Sequence, residues 1–479
     1  MSRIHSNIAA LRAIHRLTRN QDDLGVRLER LATGLRINHG ADDPAGLIAS
    51  ERLRSEIRGI QQAIDNSARA SNVIVTAEGA LQEVSSLLLD VQSLIVGAAN
   101  DAGMTHDEIR ANQLQIDSIL ESIDRISNTT TFAGRKLLDG SMGYTTSTMP
   151  TDAINQLNVF AARVPEGGVR DVTIEVIQSA QRAELVLVGA GGGPSTTSAT
   201  TVEVRGTLGA QLFSFVSGTT LTQIQAAINN VTAMTGVTAT VSTAGGTSAL
   251  VLNSVEFGAD AFVSVQPVSG NFVESGNQGT EIRDAGVDAG VLVDGQLAAT
   301  KGFVADVRSA GLDARIYLTE DFGQTLSSAT FRITGGGALF QITPQVNPNG
   351  QIHFGFGSVS TTQLGDVRSG LLYTLKSGYE NDLDSRNFAT AQAVISKAID
   401  QISVYRGRLG NVQRNQIETS VNSQSVALEN VTASESVIRD ADMAVEVSAL
   451  SRAQILVQST QRTLQIANTI PEFVLALLG

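Results

Sequence analysis

The stretch Gly34–Glu56, GLRINHGADDPAGLIASERLRSE, holds the residue types that come nearest to chemistry in this chain. Asp42 and Asp43 are adjacent carboxylates, and a pair that shares a proton can do acid–base work when a cleft holds it. His39 beside them adds a metal-ligating nitrogen, but no second His lies close in sequence. Pro44 follows at once, a residue favoured at the first position of a helix. Asp43 is then placed to cap that helix by accepting bonds from its free N–H groups, and Gly40 permits a sharp turn before it. Gly40, Asp42, Asp43 and Pro44 therefore read as a connector and helix cap, with His39 an exposed loop residue.

Nothing else offers a reaction. The chain has no Cys, which excludes disulfides, thiolate metal sites and thiol catalysis. Its five His are scattered, and neither Gly-x-Ser-x-Gly nor His-Glu-x-x-His occurs. The run GAGGGP at Gly189–Pro194 lacks the Lys-Ser/Thr of a phosphate loop and reads as a turn. Asn128, Asn230 and Asn430 begin glycosylation-type triplets of a kind that arises often by chance. No catalytic residue, metal or cofactor is expected.

The elements around the connector are helices with narrow aliphatic seams. Ile4, Ile8 and Leu11, then Leu24, Leu28, Leu31 and Leu35, step by four and three. Ala77, Leu81, Val84, Leu88, Val91 and Ile95 form a second seam, and Ile109, Ile116, Ile119, Ile123 and Ile126 a third. Ile395, Ile399, Ile402 and Leu409 open another helical run near the C-terminus, which Val421, Leu428, Val431, Ile438 and Val445 extend. Leu450, Val457 and Leu464 carry a shifted seam. There is no Trp, and the first aromatic residue is Phe132; from Tyr405 onward the only other is Phe473. Ring-free ends point to side-by-side helices. At about 25 cal/mol per Å², one such seam cannot offset an ordering cost of about 1–2 kcal/mol per residue. These helices need partners, and the two ends are the simplest partners for each other.

Between them, residues 146–369 are rich in Gly, Thr, Ser and Val. Alternating runs at Val172–Ile177, Val237–Thr243, Ser248–Ser254 and Leu312–Leu318 predict antiparallel strands. Turn residues at Thr243–Thr247, Asp294-Gly295 and Asn347–Gly350 separate them. One helix, Thr220–Val231, interrupts the strands, with Ile224 and Ile228 inward and Thr220 as cap. A net charge of −13 and a pI near 4.9 argue against nucleic acid. No run approaches the roughly 18 apolar residues of a membrane span. The longest early apolar run, Ile8–Leu11, falls short of a signal-peptide core of about 7–15 residues.

The blocks RLATGLRINHGADDPAGLIASERLRSEIRGI, NSARASNVIVTAEGALQEV and IDRISNTTTFAGRKLLDG resemble those of the bacterial flagellins, the filament subunits of the flagellum. So do RGRLGNVQRNQIE, ESVIRDADMAVEVSALSRAQILVQST and the ending LALLG. The helix with Ile228-Asn229 resembles a β/α module inserted in many flagellins, here about 168–268. The resemblance implies a discontinuous α+β architecture of long N- and C-terminal helices with a β-rich outer insertion. Residues 1–40 and 440–479 would pair as a channel-lining coiled coil, 41–145 and 370–439 would form a helical bundle, and 146–369 would face solvent. The seams from Ile4 to Leu35 and from Val421 to Leu464 would then be self-assembly surfaces.

The resemblance further implies a structural, non-enzymatic subunit of a swimming filament, exported unfolded through a type III channel without a cleaved signal peptide. Its implied partners are further copies of itself, hook-associated junction and cap proteins, and an export chaperone on the C-terminal helix, without nucleic acid or membrane insertion. The patch that the vertebrate Toll-like flagellin receptor reads would correspond to Asp90, Leu94 and Gln115. Asp90 replaces the Arg, and Gln115 the Glu, of detected flagellins, so weak or absent recognition is expected. A hook–filament junction protein of the same family is the alternative, and an adhesin or enzyme carried by the outer region a more distant one.

Overall fold

The computed structural model describes residues 7–100, 103–164, 168–188, 195–244, 247–270, 281–309 and 311–478. The helices are α1 (Ile8–Thr33), α2 (Pro44–Ala98), α3 (His106–Thr129), α4 (Leu221–Asn229), α5 (Thr232–Thr235), α6 (Glu320–Gln324), α7 (Phe388–Asn411), α8 (Thr419–Arg439) and α9 (Met443–Leu478). Long helices thus open and close the chain around a β-rich middle, the expected α+β class. The chain divides into two compact units, Met1–Asn72 with Phe340–Ile352 and Asn411–Gly479, and Val73–Leu339 with His353–Gly410.

In the first unit α1 packs along α9. A π-helical turn, Val412–Glu418, leads into α8. The unit also takes in 340–352, a segment the composition assigns to the β-rich insert. Local packing explains this: a Cβ on Gly59 of α2 would lie 3.2 Å from Pro344 Cβ, and the Gln424 amide of α8 donates to the Ile342 carbonyl. Asn347 caps the short 3₁₀ turn Pro348–Gly350 in that segment, accepting from the Gly350 N–H at 2.8 Å.

In the second unit the α2 seam from Ala77 to Ile95 is fully buried, as are Ile116 and Ile123 of α3 and Ile395, Ile402 and Leu409 of α7. The polar residues of these helices hold the backbone of short strands and 3₁₀ turns between 365 and 385. Gln113 donates to the Leu375 carbonyl at 2.9 Å and accepts from the Leu383 N–H at 2.8 Å. Gln401 brackets both backbone groups of Gly365, at 2.8 and 2.6 Å. Buried amides satisfied in this way let these short strands and 3₁₀ turns pass close to the helices.

Among the described residues the β-rich middle has two separate hydrophobic cores. The larger lies between a five-stranded sheet (296–297, 290–293, 170–178, 328–336, 144–147) and a four-stranded sheet (299–301, 304–308, 312–318, 154–162), filled by Phe331, Ile174 and Ile316. The Asp294-Gly295 turn joins Val293 to its partner Gln296 with both residues at positive φ, 50° and 76°. Arg408 of α7 is held against this lobe, bonding Asp306 at 3.0 Å and Asp313, with its guanidinium 3.7 Å from the Phe160 ring centroid. The smaller core lies between a three-stranded sheet (182–188, 247–257, 237–244) and a four-stranded one (282–285, 262–269, 200–206, 210–215), together with α4. Thr220 caps α4 in a reciprocal box with Gln223. Ile224 and Ile228 face inward, and Asn229 clasps the Ala239 backbone at 2.8 and 3.0 Å.

Candidate assembly surface

The connector, the paired terminal helices and separate positions on α2 and α3 carry the residues singled out above. In the connector, α1 ends at Gly34, whose φ of 74° is the left-handed cap that glycine favours. Gly40 sits in a turn closed by the Asp42 N–H on the His39 carbonyl at 3.1 Å but does not take a positive φ, so the left-handed turn belongs to Gly34. Asp42 accepts from the backbone N–H groups of His39 at 2.9 Å and Asn38 at 3.0 Å, which hold its carboxyl below the usual range. Asp43 accepts from the Gly46 N–H at 2.9 Å, and Pro44 is the first residue of α2. His39 reaches Glu29 at 2.8 Å from an exposed position.

Gly46 is the residue of this joint that helix patterning misses. A Cβ there would lie 2.5 Å from Asp43 Oδ2 and 2.7 Å from Ile37 Cδ1. A methyl group there would have to push back the Asp43 carboxylate and the Ile37 side chain over which the helix start closes.

Beside the connector the two chain ends are pinned at one level. The Arg36 N–H donates to the Arg439 carbonyl at 2.6 Å, and the Ala441 N–H donates to the Gly34 carbonyl at 2.9 Å. Leu35 and Asp440 form an antiparallel bridge. From there α1 and α9 run side by side in opposite directions. Glu446 receives Arg27 at 3.0 Å and Arg30 at 3.2 Å, Asn20 approaches the Leu456 carbonyl at 3.4 Å, and Asn7 donates to the Ala467 carbonyl at 2.7 Å.

The face this pair buries is not the large-aliphatic seam. Ala10 and Ala13 of α1 and Ala453, Val457 and Ala467 of α9 are buried, small residues that let the helices approach closely. Leu24, Leu31 and Leu35 are half-buried, as are Leu450 and Leu464, and Val421, Leu428, Val431 and Ile438 of α8. Ile8, Leu11 and Leu28 lie outward at 48%, 55% and 51% exposure, and Val445 at 61%. Ile4 lies outside the described residues. Ile14, Ile455 and Ile466 are outward as well. Fully burying one such side chain is worth roughly 1.5–3 kcal/mol, and contiguous exposed aliphatics mark interaction surfaces. In the second unit Asp90 and Gln115 are exposed and Leu94 half-exposed, with Leu89 and Leu114 outward near them in sequence.

No helix among the described residues is long and apolar enough to cross a membrane, and no three His, Asp or Glu there converge on one point. Long terminal helices with a second, unpartnered apolar face define the class: a structural subunit built to be completed by association.

Residues 4–142 match the bacterial flagellin N-terminal helical region, 392–478 the bacterial flagellin C-terminal helical region, and 201–256 the flagellin hook IN motif. The B-type flagellin of Pseudomonas aeruginosa is 28% identical over 99% of both chains. The flagellin of Clostridium tyrobutyricum is 29% identical over 97% of this chain and 98% of its own. The crystal structure of flagellar hook associated protein-3 from Legionella pneumophila covers 80% of this chain and 97% of its own, at 15% identity and a TM-score of 0.31. The chain belongs to the bacterial flagellin family. It is a structural subunit of the flagellar filament.

Proposed function

We propose that the filament grows by burial of the outward stripes of α1 and α9 against neighbouring copies, with full ordering of these helices coupled to assembly. The observation that carries this reading is the exposure of Ile8, Leu11 and Leu28 beside a small-residue face that already joins α1 to α9. On this reading 1–40 with 440–479 forms the channel-lining coiled coil, 41–145 with 370–439 the surrounding bundle, and most of 146–369 the solvent-facing part. The chain acts as a structural element without catalysis. It leaves the cell through the type III path without a cleaved signal peptide, which suits a cysteine-free chain that must travel unfolded. Its partners besides itself are hook-associated junction and cap proteins, and a chaperone that covers the C-terminal helix before export. Recognition by the Toll-like receptor is weak because Asp90 puts a carboxylate where a cation is read.

The test is regrowth: purified protein is dissociated by heat, cooled, and imaged by electron microscopy. Filaments are expected. A chain that stays monomeric at every concentration and salt would overturn the reading.

A further inference from the structure

The α1–α9 pair is segregated in charge along its length. From Asn7 to Asn20 and from Val447 to Thr469 there is no Asp or Glu, but Arg12, Arg16, Arg19, Arg452 and Arg462 are present. All five are exposed, and none has a carboxylate within ion-pair distance among the described residues. The half next to the connector is the reverse. Residues 21–33 of α1 and 443–446 of α9, taken with the adjoining 34–36 and 435–442, hold seven carboxylates against four arginines. Two of those arginines, Arg27 and Arg30, are committed to Glu446, and Arg439 bonds Glu51. Asp22 is exposed without an ion pair among the described residues.

Along α1 the centres of the two halves are about 15 residues apart, on the order of 22 Å at 1.5 Å per residue. That exceeds the screening length of about 8 Å at physiological ionic strength, so the halves do not neutralise each other within one chain. Arg12, Arg16 and Arg19 are four and three residues apart and share a helix face. The outward aliphatics Ile8, Leu11 and Ile14 accompany them.

We propose that the arginine half of one α1–α9 pair docks on the carboxylate half of the pair in a second copy, in an axially staggered, head-to-tail arrangement. Opposite ends of one rod are then complementary to each other, which is the heterologous kind of contact that repeats without closing. The aliphatics supply the buried area, and the charges set stagger and direction, since like halves brought together repel. This inference rests on the assembly reading above and specifies its register.

The experiment compares critical concentrations for filament growth of the full chain by light scattering, with electron microscopy of the products. One variant reverses the distal half (Arg12→Glu, Arg16→Glu, Arg19→Glu) and another the proximal half (Asp22→Lys, Asp23→Lys, Glu29→Lys). Each alone raises the critical concentration by about tenfold or more, as like-charged ends must meet. An equimolar mixture of the two, and a chain carrying both sets, return towards the wild-type value. Rescue in the mixture can only be intermolecular, so it separates a docking defect from a folding defect. Wild-type growth weakens by a similar factor between about 0.05 and 0.5 M salt.

Variants that polymerise like the wild type, or a mixture no better than its components, would overturn the proposal while leaving assembly intact. Wild-type binding to phosphatidylserine vesicles with charge-indifferent polymerisation would assign the stripe to a lipid surface and overturn it as well. A wild-type chain that never polymerises would remove the assembly reading and this proposal together.

Discussion

The Glu446 carboxylate lies 3.0 Å from the Arg27 guanidinium across 419 residues of sequence, and Arg30 reaches it at 3.2 Å. Burial pushes its pKa up, but the bonds from Arg27 and Arg30 outweigh burial and leave it below the ordinary value. A carboxyl depressed on folding contributes stability that is present above the unfolded value of about 4.3 and is lost as pH falls through the folded value. The α1–α9 contact is therefore expected to loosen below about pH 4. Amide exchange in 8–33 at neutral and acid pH measures this. Glu446→Ala is expected to cost about 1.5–3 kcal/mol at neutral pH and to flatten the acid dependence.

At the connector, Asp43→Ala removes the acceptor of the Gly46 N–H and is expected to cost about 1 kcal/mol. Gly46→Ala is expected to cost more, about 1–3 kcal/mol, because its methyl group meets both Asp43 and Ile37. Denaturant unfolding of the monomer ranks the two. Equal stability of Gly46→Ala and wild type would contradict the close approach.

Leu28 and Leu31 belong to one heptad seam but face differently, with Leu28 outward and Leu31 half-buried. Leu28→Asp is expected to leave the monomer's circular dichroism unchanged and to abolish filament growth. Leu31→Asp is expected to lower helicity as well, since a charge against the α9 contact is costly unless paired. Growth of Leu28→Asp filaments at wild-type concentration would contradict the outward stripe as an assembly surface.

The partition between those two leucines is also where the sequence stops being legible. Heptad spacing shows that a helix needs a partner, but it is the same whether that partner is α9 or another copy. The helices meet through Ala10, Ala13 and Ala453, whose small size allows close packing and leaves no large-aliphatic signal. Local features were readable because neighbouring residues determine them: Asp43 before Pro44, Thr220 three residues ahead of Gln223, and alternation over Val172–Ile177 and Leu312–Leu318. Features set by distant chain were not. The grouping of 340–352 with the first unit rests on contacts such as Gly59 of α2 against Pro344 and Gln424 of α8 on Ile342. The pinning of the Gly34 carbonyl by the Ala441 N–H joins residues more than 400 apart in sequence.

Asp90 is exposed on α2. Native protein is expected to activate Toll-like flagellin receptor reporter cells poorly, and Asp90→Arg to raise the response by about tenfold, as reversal of one interface charge permits. Full potency of the native protein would contradict the assignment of this patch.

The central claim is that the paired chain ends drive assembly. It is tested most directly by electron microscopy of a chain lacking 440–479 beside the full chain, both taken through one cycle of heating and cooling. The full chain is expected to regrow filaments, while the shortened chain stays soluble, retains a folded helical core by circular dichroism, and grows none. Filaments from the shortened chain would contradict the account.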